Sequence, residues 1–309
     1  MPLIVTGTIG IDTVHAPGGS REGVLGGSCT YFAAAASFYG PVRLVGAVGD
    51  DFPRQHRETL TGFANVDLAG LETRSGSKTF RWGGRYHDNV DRRDTLFTEL
   101  GVLAERPPAI PEAFRDSQYV FLANTHPAVQ LGMLDQLPNR RLTVADTMDL
   151  WIRESRRELL SLMMRIDGLV LNYDEAELLT GLKNTVAAAR HILELGPKFV
   201  VVKKGEHGCI LAHADGIGAL PAYPSENVVD PTGAGDSFAG GMMGHIAFEG
   251  QRSRHAGPTT FETIREALAH GTVVASFTIE TFGLDRLASL SPEEFDARLD
   301  AYVRMLRVR

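Results

Sequence analysis

The chain has 309 residues, of which 43% are hydrophobic and 22% are charged, and its formal net charge at pH 7 is −7. This composition excludes a disordered chain and a membrane-spanning bundle, and its two cysteines, Cys29 and Cys209, are too few for a disulfide framework or a cysteine zinc cluster. The acidic balance disfavours sequence-independent binding to nucleic acid or to anionic membranes. The N-terminal segment predicts a first strand and not a signal peptide, so we expect a cytoplasmic protein.

Short apolar, β-branched runs alternate with segments of helical period along most of the chain. This alternation predicts a three-layer α/β fold, a mostly parallel sheet flanked by helices, as a single domain over residues 1–309. Ligands of such sheets bind beyond the carboxyl ends of the strands. The predicted strands are 3–5, 42–48, 119–122, 142–145, 168–171, 199–203 and 209–212. The predicted helices are 28–38, 149–164, 174–179, 186–194, 236–248 and 261–276.

Residues 72–100 interrupt the alternation, because they carry aromatic residues and arginines without a helical period. Gly83-Gly84 lies between two alternating runs and predicts a two-residue hairpin turn, which would pair Trp82 with Arg85. We interpret 72–100, together with about 12–25, as a small β lid over the ligand edge of the sheet. An ordinary edge hairpin is an equally supported alternative. Two such lids could pair to form a homodimer.

The lid segment also contains a run of arginines that could contact an anionic ligand. Aspartates are interleaved with these arginines, so a solvated charged surface is the favoured interpretation. The arginines are Arg74, Arg81, Arg85, Arg92 and Arg93, and the aspartates are Asp88, Asp91 and Asp94.

The sequence VVDPTGAGDSFAGG joins a predicted strand at 227–229 to a helix that begins at Asp236. Its small residues let the backbone approach an anion, and a helix N-terminus attracts negative charge. Asp236 at the same terminus is expected to stay ionised, which suits a base that takes a proton from a hydroxyl attacking phosphorus. A plain helix N-cap is the alternative interpretation. Each glycine inside the following helix lowers helix stability by about 1 kcal/mol relative to alanine. Their presence favours the functional interpretation of the turn.

The motif VDPTGAGDSFAGG resembles the second signature of the ribokinase-like (PfkB) family of carbohydrate and nucleoside kinases. Three further segments are similar to family motifs: Gly26-Gly27 with the small-residue helix and LVGAVGDDFP that follow, LNYDEAELLTG, and VVVKKGEHGCIL. The sequence contains no Walker A loop and no GxGxxG dinucleotide fingerprint, so the predicted phosphate site is the GAGD turn, residues 233–236.

The resemblance implies that the chain transfers the γ-phosphoryl group of ATP to a hydroxymethyl group of a small sugar. A nucleoside is the alternative acceptor within the same family. A catalytically silent homologue that binds a metabolite or nucleotide is the alternative from a different functional class.

The resemblance also implies roles for residues around the phosphate. Asp236 would be the catalytic base, and Gly233, Ala234 and Gly235 would form the anion hole for the transferring group. Asn172 and Glu175 would hold Mg²⁺ through water molecules, although turn and helix-start roles are the alternative for this pair. Asp230 and Thr232 match positions that bind a monovalent cation such as K⁺ in some members.

On the nucleotide side, the resemblance implies contacts with ATP from residues after the strand at 199–203. Lysine replaces the usual hydroxyl residue at position 203, and the two glycines that follow could simply form a hairpin turn. His270 falls where the family often places a residue against adenine, with a structural helix histidine as the alternative. The implied nucleotide-binding residues are Lys203, Gly205, Gly208, His270 and Asn172.

On the acceptor side, Asp12, Gly26 and Gly27 match positions that bind substrate hydroxyls. The family commonly has asparagine where this chain has Tyr31, so the resemblance does not carry ribose or fructose-phosphate specificity to this chain. Asn124 follows the predicted strand 119–122 and is a further candidate for the acceptor pocket. Thr125, His126 and Asp146 are candidates for the same reason.

Overall fold

The computed structural model describes residues 2–87, 92–252 and 257–307, and its strands form a nine-stranded and a four-stranded sheet. The strands are β1 (Leu3–Thr6), β2 (Gly10–Ala16), β3 (Gly19–Gly26), β4 (Val42–Gly49), β5 (Val66–Arg74), β6 (Phe80–Tyr86), β7 (Arg93–Glu99), β8 (Tyr119–Leu122), β9 (Leu142–Asp146), β10 (Gly168–Asn172), β11 (Phe199–Lys203), β12 (Cys209–His213) and β13 (Gly216–Leu220). The α-helices are α1 (Ser28–Ala36), α2 (Arg54–Gly62), α3 (Pro127–Asp135), α4 (Asp149–Glu154), α5 (Arg156–Met163), α6 (Tyr173–Thr180), α7 (Thr185–Leu193), α8 (Ala234–Arg252), α9 (Phe261–Thr278), α10 (Asp285–Ser289) and α11 (Pro292–Leu306).

The large sheet has the order β13-β12-β11-β10-β9-β8-β1-β4-β5, and all neighbours from β11 to β5 are parallel. Successive side chains point to opposite faces of a strand, so Leu3 and Val5 enter one core cluster and Ile4 the other. Helices α1, α8 and α9 cover the first face, while α3, α5, α6 and α7 cover the second. The predicted three-layer α/β fold is confirmed. In the described part of the chain, no helix is both long and apolar enough to cross a membrane.

The small sheet has the order β3-β2-β6-β7 and contains most of the segments interpreted as a lid. The predicted hairpin turn at Gly83-Gly84 is wrong, because β6 continues through both glycines and pairs with β2 and β7, with a shift of register toward β7 between the two glycines. The glycines leave room for rings: a Cβ on Gly83 would lie 2.3 Å from the Phe97 ring, and one on Gly84 would lie 2.0 Å from the Trp82 ring. The connection from β6 to β7 includes 88–91, so Asp88 and Asp91 lie outside the described residues.

Three other predicted elements differ from the structure. Residues 72–74 belong to β5 of the large sheet and not to the lid. The predicted helix 149–164 is interrupted at Ser155, whose φ of −135° is not helical. Residues 227–229 form no strand, because the amides of Val229 and Asp230 donate to the carbonyl of Ile279 after α9 and not to a neighbouring strand.

The outer strand of the small sheet, β7, is exposed along its whole length. Its Leu96 and Phe97 are among the large apolar side chains that solvent reaches in the described residues. The pairing of two lids into a homodimer stays a prediction, and β7 is an exposed edge strand of the small sheet.

Helix α8 packs closely against α1 and α9 because glycines line the contacts. A Cβ on Gly240 would lie 2.4 Å from the carbonyl oxygen of Phe32, and one on Gly271 would lie 2.5 Å from that of Phe238. These distances are shorter than any normal contact between a methyl group and a carbonyl oxygen. The glycines therefore fix how near the three helices approach, and with it the position of the α8 N-terminus.

We predict that Gly240→Ala lowers the free energy of unfolding by about 1–3 kcal/mol, because the added methyl group forces α8 away from α1. Gly132→Ala is the matched control, since it also lies inside a helix but a Cβ there meets nothing within 4 Å. That variant should be more stable by up to about 1 kcal/mol. Urea unfolding of both variants checks the prediction, and equal effects would contradict it.

Candidate active site

Two clefts meet at the N-terminus of α8. One encloses about 470 Å³ between the irregular segment 221–228, α8 and α9, and the other encloses about 390 Å³ between the two sheets. Both volumes are typical of small-molecule pockets. Lys203 and Gly235 line both clefts, so a ligand in one can touch a ligand in the other at this point.

The parallel strands bring polar residues together along one wall of the second cleft. Strands β8 to β11 and β1 run in the same direction, so the residues at their carboxyl ends share one edge of the sheet. None of these residues is near another in the sequence, and the parallel topology alone makes them neighbours. They are Thr8, Asn124, Asp146, Asn172 and Lys203.

The GAGD turn faces this wall. Gly233 has a φ of +75°, and a Cβ there would lie 2.3 Å from the ring of Tyr31, so both the conformation and the space require glycine. Tyr31, 1% exposed, supports the turn from below and also lines the second cleft. The first amides of a helix have no acceptor within it, so the N–H groups of Gly235 and Asp236 can bind an anion.

Asp236 lies beside this anion-binding turn at the bottom of the second cleft. Burial raises the pKa of its carboxyl, while the positive charges of Lys203 and Arg93 oppose the rise. A Cβ on Gly235 would lie 2.6 Å from the Lys203 Nζ, so that ammonium group sits directly against the turn. The arrangement combines a base, backbone donors and a cation within reach of one anionic group.

Asp12 lies on β2 of the small sheet, opposite the turn. Burial, Asp230 and Asp236 together raise the pKa of Asp12 to about 8. The Gly27 amide donates to its carboxylate, and a Cβ on Gly26 would lie 1.9 Å from the Oδ2. Its Oδ1 is buried without a hydrogen-bond partner among the described residues. A substrate hydroxyl would satisfy that oxygen. Gly27 lines the second cleft and Gly26 does not, and the acceptor role of both glycines stays a prediction.

Asn172 and Glu175 form a reciprocal capping box at the start of α6. The Asn172 side-chain oxygen accepts from the Glu175 amide, and the Glu175 Oε2 accepts from the Asn172 amide, both at 2.8 Å. Burial raises the pKa of Glu175 to about 7, and Lys203 opposes the rise. Both residues line the second cleft, so the turn role and the ligand role predicted for them are compatible.

Asp230 lies beneath the turn, 0% exposed, and lines neither cleft. Its Oδ1 accepts from the Thr232 amide at 2.9 Å, and its Oδ2 has no hydrogen-bond partner among the described residues. Burial raises the pKa of Asp230, as expected for a carboxylate that lacks a compensating charge. Thr232 lines the second cleft and donates to the Tyr86 hydroxyl of the small sheet.

Arg93 on β7 is a cleft residue that the sequence interpretation did not single out. Its guanidinium lies 5.0 Å from the centre of the Trp82 ring and hydrogen-bonds to Tyr86. The other arginines have different surroundings: Arg74 pairs with Glu72 and Glu105, Arg81 pairs with Asp51, and Arg85 and Arg92 are exposed outside the clefts. The solvated-surface interpretation is therefore wrong for Arg74, which is 7% exposed, and incomplete for Arg93, which is exposed but lines the second cleft. The pattern of charges in the sequence does not distinguish Arg93 from the other arginines, because only the fold of β6 and β7 places it at the cleft.

Comparison with known proteins decides the family. The profile of the pfkB family of carbohydrate kinases matches residues 11–289. The chain belongs to the pfkB family. It is 34% identical to the cytidine kinase of Thermococcus kodakarensis over 252 residues, which cover 79% of this chain and 87% of that enzyme.

Two solved structures establish the ribokinase-like fold of this pfkB protein. Ribokinase from Giardia lamblia has a TM-score of 0.80 at 18% identity and covers 97% of this chain and 99% of its own. Aminoimidazole riboside kinase from Salmonella enterica was solved with aminoimidazole riboside and an ATP analogue. It has a TM-score of 0.73 at 19% identity, and the match covers 97% of this chain and 100% of that enzyme. The chain is a phosphotransferase that acts on a hydroxyl group of a sugar or nucleoside.

The first cleft of this pfkB kinase contains only part of the predicted nucleotide-binding set. Lys203, Gly205 and Gly208 line it, whereas Asn172 lines the second cleft. Most of its remaining wall comes from 221–225 and from one face of α9, which carry no motif, whereas Val228 and Phe238 belong to the motif VVDPTGAGDSFAGG but were given no role. Sequence reasoning assigned none of these residues to the site. The residues it missed are Pro221, Ala222, Tyr223, Pro224, Ser225, Val228, Phe238, Thr272, Ala275, Ser276 and Ile279.

His270 lines neither cleft. Its ring is stacked on His245 with 3.7 Å between ring centres, and its Nδ1 lies 3.0 Å from the Tyr39 hydroxyl. Burial and His245 lower the pKa of His270 to about 3. The stack joins α8 to α9, so the structure favours the structural alternative over adenine contact.

We predict that stability falls with acidity at this stack. A histidine whose folded pKa lies below its unfolded value of about 6.5 stabilises the native state fully above that pH and loses the contribution as pH falls toward 3. His270→Phe keeps a ring but cannot titrate, so its melting temperature should decline less than that of the wild type between about pH 7 and 4.5. Burial also lowers the pKa of His245, so the variant should keep part of the dependence of melting temperature on pH. Parallel declines would contradict the prediction.

Proposed function

We propose that this pfkB kinase transfers the γ-phosphoryl group of ATP to the 5′-hydroxyl of a nucleoside, with cytidine as the first candidate. The observation that supports the proposal is the lining of the second cleft, which contains aromatic and apolar side chains as well as Asp12. Phe80 and Trp82 come from the small sheet, and Met148, Leu150 and Trp151 come from the segment at the start of α4, and we assign the slot between these two groups to the base. A nucleobase would cover these surfaces, whereas a small sugar would leave them in contact with water.

The relative that matches most of both chains supports the same acceptor class, although ribokinases and fructokinases match shorter parts of the chain. The cytidine kinase is 34% identical across most of both chains, and the Salmonella enzyme, which has the same fold, binds a riboside. A small sugar is the alternative acceptor, because Asp12 and Gly27 would hold its hydroxyl groups equally well. The slot beyond them is the feature that favours the nucleoside.

The proposed reaction uses the junction of the two clefts. ATP would occupy the first cleft, with its γ-phosphate at the amides of Gly235 and Asp236. As the acceptor oxygen forms its bond to phosphorus, the Asp236 carboxylate takes the hydroxyl proton, and the bond to the ADP oxygen breaks. Lys203 and Arg93 would stabilise the charge on the transferring group.

The residues present fit the two cations that the resemblance implies. The capping box uses the Glu175 Oε2, so the Oε1 is not taken by that bond, and Glu175 lines a cleft where a hydrated Mg²⁺ could be held through water. Mg²⁺ neutralises phosphate charge when it is bound. The unpaired Oδ2 of Asp230 is a carboxylate oxygen suited to K⁺, and we propose it as the residue to test for a potassium requirement.

A panel of nucleosides and small sugars, assayed by ADP release, tests the proposed function. We expect turnover of a nucleoside and little with pentoses or hexoses. Asp236→Asn should lower kcat by roughly 10²–10⁴ with the fold intact, because it removes the base and keeps the shape. Asp300→Asn on the exposed face of α11 is the matched control and should leave kcat unchanged. Wild-type turnover by the Asp236 variant would contradict its role, and turnover of sugars alone would contradict the nucleoside assignment.

Arg93→Ala should lower kcat roughly 10–10³-fold with a smaller effect on KM for ATP, since a cation at the transferring group acts chiefly in the transition state. Arg85→Ala removes the same charge from β6 outside the clefts and is the control. Steady-state kinetics of both variants provides the measurement. Equal kinetics in the two variants would assign Arg93 to the charged surface of the sheet.

A further inference from the structure

A hydrogen bond in the wall of the acceptor cleft fixes the orientation of one amide. The Trp151 Nε1 lies 2.9 Å from the Asn124 Oδ1, where β8 ends and α4 begins. An indole N–H can only donate, so the atom that faces it must be the carbonyl oxygen of the asparagine. The Asn124 Nδ2 is therefore the atom left to face other partners. It makes a 3.1 Å contact with the Met148 Sδ, and sulfur is a weak acceptor that leaves the second N–H free.

A second set of contacts holds Trp151 in place. The His126 ring packs edge-on against the Trp151 ring, with centres 5.0 Å apart. The His126 Nδ1 accepts from the Ala128 amide, so its Nε2 carries the proton and donates to the Ser155 Oγ at 3.0 Å. Ser155 is the residue that interrupts the predicted helix and separates α4 from α5. Ser155, at the break between these helices, thus holds His126 against the Trp151 ring, and Trp151 in turn orients Asn124.

We propose that Asn124 determines base specificity by presenting only a hydrogen-bond donor to the nucleobase. This inference rests on the proposed function, because it assigns the slot between Trp82 and Met148 to a base. The donor would face the N3 of a pyrimidine. That atom is an acceptor in cytosine and carries a hydrogen in uracil, so the wall favours cytidine over uridine. Trp151 is a positioning residue, because it acts on the substrate through the orientation of Asn124.

Two substitutions test the proposal through the ratio of kcat/KM for cytidine to kcat/KM for uridine. Asn124→Asp keeps the acceptor for the Trp151 indole and turns the donor into an acceptor. It should lower the ratio by about tenfold or more, because kcat/KM falls for cytidine and rises for uridine. Trp151→Phe keeps a ring but removes the N–H, which lets the amide rotate and present its oxygen. Its ratio should approach one.

Asn184→Asp introduces the same charge at the exposed start of α7 and is the matched control, with the wild-type ratio expected. Thermal melts identify any variant that fails to fold, and the remaining variant then decides the test. An unchanged ratio in a folded Asn124→Asp protein overturns the proposal, as does a wild-type enzyme that prefers uridine or a purine nucleoside. These outcomes differ from inactivity on every nucleoside, which would overturn the proposed function itself.

Discussion

Among the described residues, the second cleft places several buried or half-buried carboxyl groups beside two cationic side chains, Lys203 and Arg93. Burial raises the pKa of Asp146 well above its ordinary range, and the neighbouring Asp236 raises it further. Lys203 opposes these shifts at Asp146, Glu175 and Asp236, and Arg93 opposes them at Asp12, Glu175 and Asp236. A triphosphate bound as proposed would add negative charge to this cluster. Backbone amides, the two side-chain cations and a divalent metal would then together provide the positive potential that such a ligand requires.

The close packing of three helices determines where that positive potential lies. Glycine destabilises a helix interior by up to about 1 kcal/mol, yet α8 and α9 carry it at Gly240, Gly241 and Gly271, where they touch each other or α1. Side chains at these positions would push α8 outward and carry its N-terminus away from Lys203. These glycines therefore lower helix stability, but they allow the packing that holds the first amides of α8 beside Lys203.

The sequence predicted the parts of the fold that depend on local pattern. Most strands of the parallel sheet, several helices and the GAGD turn follow from apolar periodicity and small-residue composition, whereas the parallel strand β5 was not predicted. The strand-end rule placed Asn124 and Asp146 at the edge where the second cleft lies, but Thr125 and His126, proposed by the same rule, do not line that cleft. The failures concern residues whose role depends on distant partners. Gly83-Gly84 predicts a turn in the sequence, but in the structure Gly83 makes room for the ring of Phe97, which lies on the neighbouring strand.

The walls of the first cleft and the position of Arg93 were beyond prediction for the same reason. Residues 221–228 have no regular structure, and their location follows from the hydrogen bonds of Val229 and Asp230 to Ile279. A charge pattern likewise cannot distinguish Arg93 from Arg85, because the difference arises from the side of the small sheet on which each side chain lies. Sequence reasoning was reliable for the chemistry carried by a motif and weak for surfaces assembled from separate segments.

The division of the site between two sheets has a mechanical consequence. Asp12 and Arg93 belong to the small sheet, whereas Lys203 and Asp236 are held by the large sheet and α8. The hydrogen bond between Tyr86 and Thr232 joins the two groups beside the turn. In-line transfer requires the acceptor oxygen to approach phosphorus closely, so the relative position of the sheets controls the reaction geometry. Under the proposed function, a substrate that fills the slot and binds Asp12 would contact both sheets at once, while water alone lacks the apolar surface to do so. The aromatic side chains of the small sheet would then contribute to acceptor selection and to the exclusion of water through the same contacts.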